Sequence, residues 1–206
     1  MRILFINIYV AVVALVTIRA QSPEANDSSE SQQSNEETVA GGKKMMNLMN
    51  KHLQDSLTYL FTSKQYHSQY WERPGMAKYL KELSDKEWEE GLDTLKKFMQ
   101  RGGKIGDFRE QVKVSARGQL RSSSDEMKND PMPESLKKIH RDSKRKFSIR
   151  NGLMVKVCTK DAEICHFLEE GLAKEAERMY ELKSYHTIAF GLKTGGVGLS
   201  LFDASL

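Results

Sequence analysis

The sequence predicts an all-α protein: a four-helix bundle with a long crossover between its second and third helices and a short fifth helix at the C-terminal end. Three observations carry this. Apolar residues recur at steps of three and four through four long segments. No run alternates polar and apolar residues as a half-buried strand does. A polar stretch, residues 104–131, separates the second segment from the third, and long crossovers are an established connection in such bundles. A chain of 206 residues, 39% hydrophobic and 29% charged, suits one packed core. Fully disordered, collagenous and multi-span membrane classes are excluded by that composition. Two cysteines, Cys158 and Cys165, cannot build a disulfide scaffold, and the histidines lack the spacing that would complete a zinc cage. Stability must come from burial.

Arg2 is followed by the apolar run Ile3 to Ile18 and then by Ala20. This is the pattern of a secretory signal peptide, too short for a membrane span, so residues 1–20 are expected to be cleaved. Their removal takes away Arg2 and Arg19 and lowers the formal net charge from +4 to +2. That balance points neither to nucleic acid nor to an acidic ligand, and leaves no membrane attachment. The expected location is the secretory lumen, endoplasmic reticulum and Golgi, and the extracellular space. Residues 21–42 read as an acidic, disordered tail, with Glu24, Asp27, Glu30, Glu36 and Glu37 and no basic residue before Lys43. The triplet Asn26-Asp27-Ser28 makes Asn26 a glycosylation candidate in that compartment.

The bundle domain is placed at 43–206. Met46, Met49, Leu53, Leu57 and Leu60 define the first helix, ending near Tyr70. Pro74 sits in the first turn of the second, whose stripe is Met76, Leu80, Leu83, Glu87, Gly91 and Phe98. Trp88, Leu92, Leu95 and Met99 are expected to widen its buried face, and Gly102-Gly103 to end it. The third runs from about Pro133 to Cys158 on Leu136, Ile139, Phe147, Leu153, Met154 and Val157. Asp161 is a candidate N-cap for the fourth, which continues to about Leu192 on Ile164, Leu168, Gly171, Leu172, Met179, Leu182 and Ala189. Gly195-Gly196-Val197-Gly198 breaks the chain before the short apolar ending Leu199–Leu206. It is no phosphate loop, since no strand precedes it and no Lys-Ser/Thr follows.

Each long helix turns a polar group inward on a wheel of about 100° per residue. His52 and Tyr59 share one edge of the first stripe. Glu87 falls between Leu80 and Leu83, with Glu90 at the edge. Asp142 lies beside Ile139 and Ile149, and Glu175 between Leu168 and Leu182. A lone buried carboxylate is costly. Carboxylates and a histidine converging from four helices fit either a di-iron arrangement or a hydrogen-bonded network without metal. The basic run Lys137, Lys138, Arg141, Lys144, Arg145 and Lys146 reads as the wet face of the third helix and is assigned no ligand.

The chain resembles the ferritin family. Met49 to Leu60 with Tyr59 is similar to the ferritin first helix. Met76-Ala77-Lys78-Tyr79 through Gln100-Arg101-Gly102-Gly103 is similar to the second, Asp161 to Phe167 to the start of the fourth, and Gly198-Leu199 through Leu201-Phe202-Asp203 to the C-terminal helix. The likeness spans residues 43–206, with a crossover about ten residues longer, and the leader suggests a secreted, insect-type subunit. It implies a hollow 24-subunit shell that stores iron, taken up as ferrous ion, as a ferric mineral.

Residue by residue, the resemblance implies an altered oxidation centre. Glu87 and Tyr59 match the family. His52 stands for its first-helix glutamate, Glu90 for its histidine, Lys86 for the glutamate preceding Glu87, and Asp142 for its third-helix glutamate. The family's fourth-helix glutamine falls on Ala176 or, with a one-residue deletion, on Glu175, which the apolar stripe favours. Lys86 can reach Glu87 or Glu90 as an ion pair and opposes a second iron. Glu82, Asp85 and Glu89 match positions where light-chain subunits present acids for mineral nucleation, and His166 and Glu169 match an entry channel. No residue is assigned a catalytic role. The expectation is a light-chain-like, non-enzymatic iron-storage subunit, partnered in a homo- or hetero-oligomeric shell by a ferroxidase-competent heavy-type chain. The alternatives are a ferroxidase subunit with a one-metal site at His52, Glu87 and Glu90, and a secreted helical-bundle signalling protein.

Overall fold

A computed structural model describes residues 41–68, 71–104, 131–192 and 196–206, all within one compact unit, Gln33–Leu206. The leader, most of the acidic tail, Asn26 and most of the crossover lie outside the described residues. Five helices follow in order: α1 (Gly42–Tyr66), α2 (Pro74–Gln100), α3 (Met132–Val157), α4 (Ala162–Gly191) and α5 (Gly196–Ser205). Among the described residues no helix is long and apolar enough to cross a membrane.

The ends follow local chemistry. Pro74 occupies the first turn of α2, where its missing N–H costs nothing. Gly102 takes φ 81° behind α2, and Gly103 N donates to Phe98 O at 3.0 Å, closing the last turn. Asp161 caps α4 by accepting from Glu163 N (3.0 Å) and Ile164 N (3.1 Å). Arg101 from the end of α2 holds the same Asp161 at 2.8 Å.

α1 packs chiefly on α2 and α3 on α4, with further contacts of α1 to α3 and of α5 to α2. Ser63 meets Ala77, Ser56 meets Ser84 and His52 meets Glu87, so α1 and α2 are antiparallel. Tyr66 meets Ser135 while Asp55 meets Lys146, so α1 and α3 are antiparallel too. Hence α2 and α3 run the same way. The chain must return along the whole of α2, roughly 40 Å at 1.5 Å per residue, which is why the connection is long.

Two apolar clusters fill opposite ends of the bundle. Met76, Leu80, Leu136, Ile139, Leu182 and Phe202 belong to one, and Met45, Leu48, Phe98, Leu153, Ile164 and Leu168 to the other. Between them lies a polar layer. This layer shifts the interior face of α1: Met49 and Leu53 are buried as expected, but Leu57 and Leu60 are exposed, and His52, Asp55 and Tyr59 face inward. The expected stripe followed an outer apolar line because the interior line is polar at mid-helix. Trp88, Leu92 and Met99 are likewise exposed rather than buried, and Leu95 is half-buried. Cys158 and Cys165 are joined by a disulfide that closes the turn between α3 and α4. Closing so short a loop removes about 2 kcal/mol of chain entropy from the unfolded state.

Candidate functional site

Glu87 stands at the centre of the polar layer, fully buried, and three groups donate to it. His52 Nδ1 approaches Oε2 at 2.7 Å, Arg178 approaches Oε1 at 2.5 Å, and Lys146 Nζ bonds the same Oε1. Lys146 has no exposed surface, and its ammonium also lies 3.6 Å from Asp55 Oδ2 and 3.8 Å from Glu175 Oε1. One cation thus sits among three carboxylates contributed by α1, α2 and α4. Arg150, 1% exposed, donates to Glu90 Oε2 at 2.9 Å and lies 3.1 Å from His52 Nε2. A guanidinium can only donate. His52 therefore accepts at Nε2 and donates from Nδ1 to Glu87, which fixes its tautomer.

The charges follow. Burial raises the Glu87 carboxyl, but Lys146, the hydrogen bond from His52 and Arg178 outweigh it and hold the group well below the carboxylate range. Burial lowers Lys146, yet Glu87, Glu175 and Asp55 raise it above the usual lysine value. For Asp55 burial prevails over Lys146 and Lys51 and its carboxyl is raised. Burial, then Asp55 and Glu87, push the Tyr59 hydroxyl well above 10.0.

Glu87 is lowered from 4.5, so its contribution to stability is complete above that pH and lost as the pH falls below it towards the folded value. Asp55 acts oppositely, since it binds its proton more readily in the folded chain. Helix loss on acid titration is expected to begin below about pH 4.5, and Glu87→Gln should flatten that limb in circular dichroism. An acid limb unchanged by the substitution would show that Glu87 is not its source.

Carboxylates with a histidine make a donor set for hard or borderline cations. These residues nevertheless do not fit a pair of metal ions. Among the described residues, the buried carboxylate oxygens left without a hydrogen bond, Asp55 Oδ2 and Glu175 Oε1, both face Lys146. Among the described residues, the three-ligand group close enough for one ion is Cys158, Cys165 and Glu169, whose sulfurs are already bonded to each other. Arg150 likewise occupies the space between His52 and Glu90, where a single ion would have to sit.

The structure brings His52, Glu87, Glu90 and Glu175 into this layer. Asp142 lies at its margin, 3.4 Å from Lys51, one turn from the α3 residue that meets Glu87. Glu175 is buried and Ala176 exposed, as the stripe favours. Lys86 is exposed, and the cations on Glu87 and Glu90 come instead from Lys146, Arg178 and Arg150. Sequence reasoning missed these three and Asp55. The signal was present: Lys146 is seven residues from both Ile139 and Leu153, on the apolar stripe, so it is not part of the wet face.

Glu82, Asp85 and Glu89 are exposed on α2, with Asp85 paired to Lys81 at 3.0 Å. Glu89 also lines an open cleft of about 730 Å³ between α2 and α4, in which Glu90, Asp93, Glu177 and Glu181 are interspersed with Lys86, Lys174 and Arg178. His166 and Glu169 are exposed on α4, away from the layer, with Glu169 Oε1 3.7 Å from Cys165 Sγ.

No family model matches the chain, and no curated protein does. Among solved structures, the secreted ferritin of Trichoplusia ni is similar in fold, with a TM-score of 0.65 over 83% of this chain and 84% of that one, at 20% sequence identity. The five described helices thus form a ferritin-like four-helix bundle.

Proposed function

We propose that this chain is a storage-type, light-chain-like subunit of a secreted ferritin shell, which helps to hold iron as a ferric mineral without oxidising ferrous iron rapidly. The observation that carries the reading is the Lys146 ammonium set among Glu87, Glu175 and Asp55. Those carboxylates already have a counter-charge, and a buried lysine repels an incoming cation. Iron is cargo here, and the acids of Glu82, Asp85 and Glu89 on α2, with the cleft beside them, offer it several carboxylates at once.

Assembly into a 24-subunit shell, alone or with a ferroxidase-competent heavy-type chain, is supported by the apolar side chains left on the outside of α1 and α2, Leu57, Leu60, Phe61, Trp88 and Leu92. Passage through the secretory pathway to the extracellular space is supported by the Ile3–Ile18 run, the Cys158–Cys165 disulfide and the secreted neighbour. His166 and Glu169 are proposed to line an entry channel, and Asn26 to carry glycan.

The test is stopped-flow ferrous oxidation in shells of this chain, or in mixed shells whose partner's oxidation site is disabled. The expected rate is no faster than that of an empty-site control. His52→Glu, Lys86→Glu, Glu90→His and Asp142→Glu together should raise it only when Lys146 and Arg150 are also replaced. A rapid burst from the unmodified chain would overturn the reading in favour of a one-metal site at His52, Glu87 and Glu90.

A further inference from the structure

α2 begins without a cap of its own. Its N-cap residue Arg73 makes no side-chain bond that caps the helix, its first turn carries no acid, and Pro74 has no N–H. The first exposed donors are therefore Gly75 N and Met76 N. Both are met by a carboxylate from the far end of the chain: Asp203 Oδ2 accepts from Gly75 N at 3.1 Å and Oδ1 from Met76 N at 2.8 Å. Asp203 is buried, at 3% exposure, and lies at the positive end of α2. The approach is so close that a Cβ on Gly75 would stand 1.7 Å from the Asp203 carbonyl oxygen. A second tie runs beside it, from Arg73 to Ser200 Oγ at 2.7 Å.

Asp203 is the single charged residue of α5, and it points inward with Leu199 and Phe202. The opposite face presents Val197 and Leu201 at 77% and 70% exposure. Apolar contacts are non-directional. Leu199 and Phe202 alone would hold α5 against the bundle without fixing its rotation, whereas two hydrogen bonds to successive backbone donors fix it.

We propose that Asp203 is the N-cap of α2 supplied by α5, a positioning residue that sets the rotation of α5 so that Val197 and Leu201 face a neighbouring copy of the chain. The second half of this statement rests on the shell reading above; the first does not. Gly75 is the glycine that admits the contact, and Arg73 with Ser200, one turn back on the same side of α5, restrains the helix a second time.

The experiment compares the full chain with Asp203→Ala, Asp203→Asn, Gly75→Ala and Leu201→Ser. It reads amide exchange across residues 196–205 and the mass of assemblies by sedimentation. Asp203→Ala and Gly75→Ala should speed exchange in α5 roughly tenfold and lower the assembled fraction, with Asn intermediate because it keeps one acceptor. Leu201→Ser should leave exchange unchanged and lower assembly alone. Unchanged α5 exchange in Asp203→Ala, or in Gly75→Ala should the first variant not fold, would overturn the capping role. If the unmodified chain stays monomeric with every partner while α5 exchange still depends on Asp203, the shell reading fails and the cap stands.

Discussion

Replacing Lys146 by methionine is expected to lower stability by about 3 to 5 kcal/mol, the range seen when one partner of a buried ion pair is removed. The methionine fits the space, but Glu87, Glu175 and Asp55 are left around it, with Arg178 on the first two and Lys51 on Asp55 as the remaining close cations. Denaturant unfolding measures the loss. Adding Glu87→Gln should restore part of it, because the amide oxygen can still accept from Arg178 or His52 without a net charge. A divalent cation, zinc for instance, should raise the unfolding midpoint of Lys146→Met and leave that of the unmodified chain in place. A loss below about 1 kcal/mol would mean that the layer tolerates an uncompensated carboxylate, against the expected cost.

The second large effect is expected at Gly171. A Cβ there would lie 1.5 Å from Arg150 Nη1 and 2.3 Å from its Cζ, so the glycine makes room for the guanidinium. The end of an arginine can usually swing aside, but this one is 1% exposed and bonded to Glu90 and His52. Gly171→Val should therefore cost about 3 kcal/mol, combining strain with broken buried hydrogen bonds. Combined with Arg150→Met the cost should shrink well below the sum of the two single losses. Strict additivity of the two would show that Gly171 answers to something other than Arg150.

Much of the fold is legible in the sequence because helix ends are local. Pro74, Gly102 and Asp161 act within one turn of themselves, and the described boundaries fall within a few residues of the expected ones. The inward position of Glu175 was legible for a similar reason, since it shares a stripe with Leu168 and Leu182. The partners of Glu87 were not. Lys146 is 59 residues away and Arg178 is 91, and a lysine inside a basic run looks solvated until its register with Ile139 and Leu153 is weighed above its charge. The same polar layer misled the reading of α1. Where the interior is charged, the strongest apolar periodicity marks the outside, and Leu57 and Leu60 followed it there.

The Lys146 ammonium also has a consequence for mass action. A protein whose buried carboxylates wait for a dissolved ion has a folding equilibrium that depends on the concentration of that ion. Here the counter-ion is tethered to the backbone of α3, so its effective concentration is set by the chain and does not change with supply. Folding of this layer then contributes no slope to a plot of stability against free metal. Chain synthesised without free metal would reach the same folded bundle as chain synthesised in its presence.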